Sequence, residues 1–362
     1  MSGPTNFDTT YPKFGGRLKY YSDEWLESFG NQLATKFVQE GYRPKWDSYP
    51  PPLNIHPISF QHYIPNFNAM KSEISHLLEE GIIRHFSTRK RCFLSESSLK
   101  RKKNGNYRLV LNLQNLNDYV KHLPVSLEGI NLVKGLIRRK DYMVSIDLKD
   151  AYYHILLHPD VQKYFVFDFN YERYCFQCLP FGLTTSLWTF KTVLQPIIEL
   201  IRSIGIRIVV HCDDMLIMSR TMSEAERHGD IVINLLETHG FIINENKSQL
   251  TPTRSIEYLR LIINSTTMMF SAPDYKIDEL CDECINIYKQ RYIPIRILTS
   301  LISKLHNIVK DHEYTRELRC DKHLHQGKDQ YSLIQLSREG KDELEDWINN
   351  IKKWNRYPIN AT

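Results

Sequence analysis

The sequence lacks any apolar run long enough to span a bilayer, which requires about 20 consecutive, mostly apolar residues. Its first residues, Met1-Ser2-Gly3-Pro4-Thr5, also lack the basic and then apolar pattern of a secretory signal peptide. We therefore expect an intracellular protein of the cytoplasm or the nucleus that is not secreted and has no membrane partner.

Cysteine is scarce, with seven in a chain of 362 residues. An odd number of cysteines without a secretory signal predicts reduced thiols rather than a disulfide framework. Two Cys-x-x-Cys pairs, Cys175 with Cys178 and Cys281 with Cys284, have a spacing that zinc sites use. The first pair lies in an alternating, strand-like stretch that directs its sulfurs to opposite faces, and the second lies on a helical apolar pattern. Both pairs are therefore interpreted as core residues rather than zinc ligands.

Acidic residues are fewer than basic residues, and the formal net charge is +5. The basic residues cluster between Arg84 and Arg108, where a single acid, Glu96, accompanies Arg89, Lys90, Arg91, Lys100, Arg101, Lys102 and Lys103. Such a block is typical of a surface that binds phosphates. A solvated loop or a nuclear-import-like signal is the alternative interpretation of an isolated basic run.

Two adjacent acids interrupt an otherwise apolar stretch of the chain. Asp213 and Asp214 stand between Ile206–Cys212 and Met215–Met218, runs that are both rich in strand-forming residues. The pattern predicts a hairpin with carboxylates at its tip, and like charges this close favour a bound cation. The alternative is an ordinary solvated turn, since aspartate is common in turns.

A third acid, Asp147, ends a second short apolar strand, Tyr142–Ile146. Carboxylates at the ends of two strands can converge, and aspartates without histidine or cysteine partners suit Mg²⁺ and phosphoryl transfer better than zinc hydrolysis. Two such ions can hold the attacking and leaving oxygens of an in-line displacement.

The order of the segments resembles that of a retroelement reverse transcriptase, most closely the DIRS-type retrotransposon polymerases. The resemblance rests on a fingers segment, Lys102–Asn117, and on four palm segments in order, which are Ser145–Tyr152, Leu179–Ser186, His211–Asp214, and Gly240–Asn244 with Lys247-Ser248. It also rests on an N-terminal region, Gly15–Leu18 with Trp25 and Gly41-Tyr42. It implies an α+β right-hand polymerase with fingers, an antiparallel palm sheet and a helical thumb.

The resemblance also implies a role for particular residues. Catalytic residues would be Asp147, Asp213, Asp214 and Lys247, with the three aspartates holding two Mg²⁺ or Mn²⁺ ions and Lys247 donating a proton to pyrophosphate. The nucleotide would contact Arg101, Lys102, Arg108, Tyr152, Phe181 and Gly182, with the Tyr152 ring excluding a 2′-OH. Leu259 and Arg260 would form the primer grip.

The implied reaction is extension of a primer 3′-OH by deoxynucleotides, with release of pyrophosphate. The implied partners are an RNA or DNA template, a DNA primer and dNTPs, with ribonuclease H and recombinase as possible separate polypeptides. The alternatives are a decayed remnant that binds primer–template without extending it, and a metal-dependent nuclease that uses the same acids.

Three positions depart from the family pattern and motivate the remnant alternative. His211 stands where the third palm segment usually begins with tyrosine, and Trp188 stands where the second segment usually has a compact turn. Arg260 replaces a glycine of the primer grip, and it would be strained by about 1 kcal/mol or more if the backbone there requires glycine.

The expected organisation has three parts: an N-terminal extension and linker over 1–68, fingers and palm over 69–265, and a helical thumb or connection without a ribonuclease H domain over 266–362. Apolar periodicity predicts one helix around Glu24–Gln39, further helices around Ala69–Glu80 and Ser223–His239, and a chain that is helical throughout from Asp274. An apolar stripe from Ile297 to Val309 predicts the core of the thumb.

Overall fold

The computed structural model describes residues 13–56, 66–102, 105, 107–308, 315–324 and 329–359. Several residues named above lie outside that part of the chain, namely the first residues from Met1 to Thr5, Lys103 of the basic block and Val309 at the end of the apolar stripe.

The helices account for most of the regular structure. They are α1 (Ser22–Phe29), α2 (Leu33–Glu40), α3 (Phe67–Glu79), α4 (Gln114–Asn117), α5 (Ile130–Leu136), α6 (Ser186–Ser203), α7 (Met222–Thr238), α8 (Asp274–Lys289), α9 (Ile295–Ile308), α10 (Arg316–His323) and α11 (Arg338–Trp354). The predictions for α3 and α7 are confirmed to within a few residues. The single helix predicted around Glu24–Gln39 is wrong, because Gly30 has a positive φ of 63° and ends α1 before α2 begins.

The strands form small sheets. They are β1 (Ile83–His85), β2 (Ser97–Arg101), β3 (Tyr107–Leu111), β4 (Tyr142–Asp147), β5 (Val166–Phe169), β6 (Glu172–Phe176), β7 (Arg207–His211), β8 (Asp214–Ser219), β9 (Gln249–Thr253), β10 (Ser255–Tyr258), β11 (Leu261–Asn264), β12 (Met269–Ser271), β13 (Ile293–Pro294), β14 (Leu333–Ile334) and β15 (Tyr357–Pro358). The sheet orders are β1-β6-β5, β2-β3, β7-β8-β4-β9, β10-β11-β12-β15 and β13-β14. Helices together with antiparallel pairs confirm the α+β prediction.

The chain divides into two compact units. Within the described residues, unit 1 comprises 13–128, Ile146–Met215 and Arg227–Ser248, and unit 2 comprises Gly129–Ser145, Leu216–Glu226 and 249–359. The boundaries expected at 68/69 and 265/266 follow the parts of a polymerase and stay a prediction.

Unit 1 contains an N-terminal segment, 13–56, that packs on the segments after it. Trp25 is fully buried and its indole N–H donates to the His239 carbonyl at 2.9 Å, while the Gly16 N–H donates to the Tyr153 carbonyl at 2.7 Å. Gly16 has φ 68°, and a Cβ there would lie 2.2 Å from Leu156 Cδ2, so glycine is required on both counts. The predicted N-terminal extension is therefore an integral part of unit 1.

Unit 2 has its own apolar core, built largely from α8, α9 and α11. The predicted stripe on α9 is buried at Leu298, Leu301 and Leu305, which pack with Trp347 and Leu344 of α11. Cys284 belongs to this core, as predicted for a small apolar residue. The expectation of helix throughout from Asp274 is wrong, because β13 pairs with β14 in this part of the chain and β15 pairs with the earlier strand β12.

Over the described residues, no helix is both long and apolar enough to cross a membrane.

His154 couples the stability of unit 1 to pH. Its fully buried ring donates from Nδ1 to the Ala151 carbonyl and accepts the Ile242 N–H at Nε2, so the bonded form is neutral. Burial lowers the pKa of His154 to about 4, against an ordinary value of about 6.5. The neutral ring therefore stabilises the fold fully above pH 6.5, and that contribution is lost as the pH falls from about 6.5 toward 4.

We predict that the free energy of unfolding falls by about 2 kcal/mol more in wild type than in His154→Gln between pH 7.5 and 5.0. Denaturant titrations of both proteins at the two pH values measure this difference. An identical pH dependence in the two proteins would show that His154 is not held neutral by the fold.

Candidate catalytic site in unit 1

The first two predicted acids lie at a tight turn between β7 and β8. The turn consists of Cys212 and Asp213, and Cys212 has a left-handed φ of 60°. Val209 before the turn and Met215 after it are fully buried. The apolar runs on either side thus anchor the hairpin, and the half-buried Asp213 and Asp214 are left at its end.

Asp147 lies at the end of β4 in a network of hydrogen bonds. The Asn244 side-chain amide donates to Asp147 Oδ1 at 2.8 Å, and the Asp147 N–H donates to Ser248 Oγ at 3.0 Å. The following N–H, of Leu148, donates to the Asp213 carbonyl at 3.2 Å. The backbone segments that carry Asp147 and Asp213 are therefore bonded to each other. Asn244 and Ser248 had been recognised as parts of a motif, but their contacts to Asp147 were not predicted.

The three aspartates interact electrostatically. Burial raises the pKa of Asp147, with the Asp213 charge adding to the rise and Lys247, whose Nζ lies 3.4 Å from Asp147 Oδ1, opposing it. Burial raises the pKa of Asp214 to about 7, and the charges of Asp213 and Asp147 contribute. The site thus holds like charges in a desolvated position, which is unfavourable without a compensating cation.

In the part of the chain that the structure describes, no three or more histidine, cysteine, aspartate or glutamate side chains are arranged so that they could hold a metal ion. The Asp213 charge raises the pKa values of Asp147 and Asp214, which indicates charge coupling but not an assembled coordination shell.

Two of the predicted phosphate-binding cations meet a fourth acid, Asp150. Arg108 Nη2 lies 2.9 Å from Asp150 Oδ1, and Lys102 Nζ lies 3.5 Å from the same atom. Burial alone would raise the pKa of Asp150, but the charges of Lys102 and Arg108 hold it below its usual value. No sequence pattern indicated a role for Asp150, although it lies between the metal-ligand candidate Asp147 and the predicted gate Tyr152.

Aromatic contacts link Arg108 to the predicted steric gate. The guanidinium carbon of Arg108 lies 4.1 Å from the centre of the Phe181 ring, and that ring is 4.9 Å from the Tyr152 ring. The Tyr152 hydroxyl is 3.8 Å from Cys212 Sγ, and the ring also has an edge contact with Phe190. Tyr152 is therefore fixed on several sides and its ring position is well defined.

The loop after Phe181 is held by Asn117, a contact that the sequence did not predict. The Asn117 side chain donates to the Gly182 carbonyl at 2.9 Å and accepts the Thr184 N–H at 2.9 Å. Gly182 has φ 95°, so the loop needs a residue without a Cβ there.

Trp188 and His211, two of the residues that depart from the family pattern, contact other residues of unit 1. The Trp188 ring packs at 6.1 Å from Phe37 of α2, so the large side chain meets the N-terminal segment. The His211 Nδ1–H donates to the Glu128 carbonyl at 2.6 Å, and the Glu128 carboxylate accepts the Val210 N–H and the Arg202 guanidinium. Glu128 thus supports the strand that ends at the aspartate turn, which no sequence signal had indicated.

A single cleft in unit 1, with about 1390 Å³ of open space, brings together six of the predicted residues, namely Lys102, Arg108, Tyr152, Phe181, Asp213 and Lys247. Asp147 and Asp214 interact with Asp213 but do not line that cleft. Neither does Arg101, which is exposed at the end of β2, or Gly182.

Leu259 and Arg260 belong to unit 2, where they form the two-residue turn between β10 and β11. Both have left-handed φ values, 49° and 66°. Tyr258 pairs with Leu261 across the turn, and Lys276 Nζ donates to the Arg260 carbonyl at 2.9 Å. The structure confirms that Arg260 occupies a backbone conformation that favours glycine.

Comparison with known proteins places this architecture in context. Residues 100–263 match the family described as "Reverse transcriptase (RNA-dependent DNA polymerase)". In structure, the chain is similar to the foamy viral protease-reverse transcriptase in complex with dsDNA, with a TM-score of 0.69, 18% identity, and coverage of 98% of this chain and 74% of that chain. The chain has the right-hand polymerase fold of reverse transcriptases. A foamy viral protease-reverse transcriptase in complex with RNA/DNA hybrid gives a TM-score of 0.67 at 17% identity, covering 99% of this chain and 49% of that chain.

Two of the curated relatives are polyproteins of transposons. The "Retrovirus-related Pol polyprotein from transposon gypsy" of Drosophila melanogaster is 27% identical over 201 residues, which are 54% of this chain and 19% of the relative. The "Transposon Tf2-3 polyprotein" of Schizosaccharomyces pombe is 27% identical over 220 residues, which are 61% of this chain and 15% of the relative. The chain therefore spans less than a fifth of the length of these relatives.

We predict that Arg260→Gly stabilises unit 2 by about 1 kcal/mol, because glycine removes the cost of a left-handed side-chain-bearing residue. Denaturant unfolding of the variant and wild type measures the change. Gln290→Gly, at a residue of unit 2 with an extended backbone and φ −84°, is the matched control and should not stabilise. A loss of stability in Arg260→Gly would contradict the assigned turn geometry.

Proposed function

We propose that the chain is the polymerase part of a retroelement reverse transcriptase, extending a primer 3′-OH with deoxynucleotides on an RNA or DNA template. The observation that carries the proposal is a cleft lined by Asp213, Lys247, Lys102 and Arg108, with Asp147 and Asp214 interacting electrostatically with Asp213. Phosphoryl transfer requires mainly positioning and charge neutralisation, and this arrangement offers both.

The donor set fits divalent cations that prefer oxygen ligands. Asp147, Asp213 and Asp214 are carboxylates in a partly desolvated cluster. Burial and the charges of neighbouring carboxylates raise the pKa values of Asp147 and Asp214, and bound Mg²⁺ or Mn²⁺ would offset both effects. Two bound ions would supply Lewis-acid stabilisation of the attacking and leaving oxygens. Asn244, which donates to Asp147, orients that carboxylate from the protein side.

The remaining residues of the cleft would each contact a different part of the nucleotide. Lys102 and Arg108 would bind the triphosphate, and Lys247 would protonate the pyrophosphate as it leaves. The Tyr152 ring, fixed by Phe181 and Phe190, would stand under the sugar and exclude a 2′-OH. Arg101 and Gly182 complete the proposed nucleotide contacts from outside the lining of the cleft.

The nucleic-acid partners are proposed from the fold and from the charge. Structures with this fold hold dsDNA or an RNA/DNA hybrid, and the β2–β3 hairpin here carries exposed Lys100 and Arg101. Leu259 and Arg260 would contact the primer. Membership of the DIRS-type subclass, an intracellular location, and ribonuclease H and recombinase as separate polypeptides belong to the same proposal.

We predict that the chain extends a labelled DNA primer on an RNA template with dNTPs and Mg²⁺ or Mn²⁺, and that chelation stops extension. Asp147→Asn and Asp213→Asn each lower the rate at least about 1000-fold, since each removes a proposed ligand of the catalytic metal ions. Asp230→Asn, at an exposed acid on α7, carries the same charge change and keeps wild-type activity.

Two other outcomes would replace the proposal. Salt-sensitive binding of primer–template without extension, with His211→Tyr or Arg260→Gly restoring activity, would identify a decayed remnant. Cleavage of the primer or template without nucleotide consumption would identify a nuclease.

The steric role of Tyr152 gives a second prediction. Tyr152→Val opens space beside the sugar, so incorporation of ribonucleotides relative to deoxynucleotides should rise by at least about tenfold. Tyr152→Phe keeps the ring and loses only the hydroxyl near Cys212, so it should keep the wild-type preference. Single-nucleotide extension with matched dNTP and rNTP measures both ratios, and an unchanged ratio in Tyr152→Val would exclude a gate at this position.

A further inference from the structure

Asp150 occupies the phosphate-binding side of the cleft in a way that the proposed polymerase reaction does not explain. Its Oδ1 atom is shared by Arg108 Nη2 at 2.9 Å and Lys102 Nζ at 3.5 Å. Both cations were expected to bind the nucleotide, and each is paired with this one carboxylate oxygen.

The pairing is built into unit 1 rather than being a chance surface contact. The Asp150 side chain is 25% exposed, and Lys102 and Arg108 are 31% and 32% exposed, so the pairs are partly shielded from solvent. The Arg108 guanidinium also lies over the Phe181 ring, with its carbon 4.1 Å from the ring centre. These two contacts hold the Arg108 guanidinium beside Asp150, and an incoming anion would have to compete with Asp150 for it.

The backbone around Asp150 also fixes the acid in place. Asp150 has φ 39° and ψ 52°, and its carbonyl accepts the Tyr153 N–H at 3.0 Å. Aspartate and asparagine tolerate this left-handed conformation better than most residues. The turn that carries the gate residue Tyr152 therefore also carries the anion that holds the fingers cations.

Other charges that face these cations are few in number. Glu73 on α3 interacts electrostatically with Lys102 and with Asp150, and the half-buried Glu73 accepts the Leu109 N–H. Lys149 and His76 line the same cleft. Asp150 is thus the carboxylate that contacts Lys102 and Arg108 directly among the ion pairs found in the described residues.

We infer that Asp150 is a specificity-determining residue that competes with phosphate for Lys102 and Arg108, so that a nucleoside triphosphate displaces it whereas a simple polyphosphate does so poorly. This inference rests on the proposed function. A nucleotide gains further contacts through its sugar and its base, and these contacts offset the cost of breaking the two ion pairs. Inorganic tripolyphosphate has the same phosphates without those contacts, so the internal carboxylate discriminates against it.

The test is direct binding of inorganic tripolyphosphate, measured by calorimetry on the full chain in metal-free buffer at low salt. We expect Asp150→Asn to bind it about tenfold tighter than wild type, because the competing charge is removed while the side-chain shape is kept. Asp150→Glu retains the charge and should bind as weakly as wild type. Asp230→Asn changes the net charge equally and should not gain affinity.

The gain should also depend on the cation that Asp150 releases. In the double variant Asp150→Asn with Arg108→Met, the tenfold gain should be lost, as a double-mutant cycle requires for residues in contact. Where Asp150→Asn melts far below wild type, Asp150→Ser provides the same loss of charge in a second side chain.

Unchanged or weaker binding of tripolyphosphate by the folded Asp150→Asn protein would overturn the inference and leave Asp150 as a group that merely orients Arg108. The same measurement needs no catalysis. A gain of affinity in a chain that fails to extend primers would therefore support the competition at Asp150 and remove the polymerase proposal separately.

Discussion

Repulsion among carboxylates at the ends of two strands is the constraint on which this site depends. Asp147, Asp213 and Asp214 are brought together by buried apolar strands, and desolvation and mutual charge raise the pKa values of Asp147 and Asp214. Such an arrangement costs stability in the metal-free chain, because like charges in a poorly solvated place repel. Lys247, whose Nζ lies 3.4 Å from Asp147 Oδ1, offsets part of this cost. The cost is consistent with a site that functions with a divalent cation, which would offset more of it.

The rest of unit 1 holds this unfavourable cluster in position. Asn244 and Ser248 bond to Asp147, and Glu128 supports the strand before the aspartate turn. The N-terminal segment packs behind them through the buried Trp25. In the same cleft, Asp150 pairs with Lys102 and Arg108, so contacts within unit 1 hold both the acidic and the basic residues.

Periodic and strongly apolar features were predictable from the sequence, and contacts between distant segments were not. The aspartate hairpin and helices α3 and α7 follow from local patterns that tertiary packing reinforces. The break at Gly30 was missed because apolar spacing continues across it. Asn117, Glu128 and Asp150 had no signal beyond being polar, since their importance comes from partners 42 to 83 residues away. The glycine-type backbone at Arg260 was predicted correctly, because arginine stands there in place of a glycine of the family pattern.

The central claim is that the three aspartates repel one another until a divalent cation binds. Thermal unfolding of wild type and Asp214→Asn at pH 8.0, with chelator and then with Mn²⁺, tests it most directly. We predict that the variant melts at least about 2 °C higher than wild type without metal, and that Mn²⁺ raises the melting temperature of wild type more than that of the variant. A variant that melts lower without metal, or equal Mn²⁺ shifts in both proteins, would contradict the account.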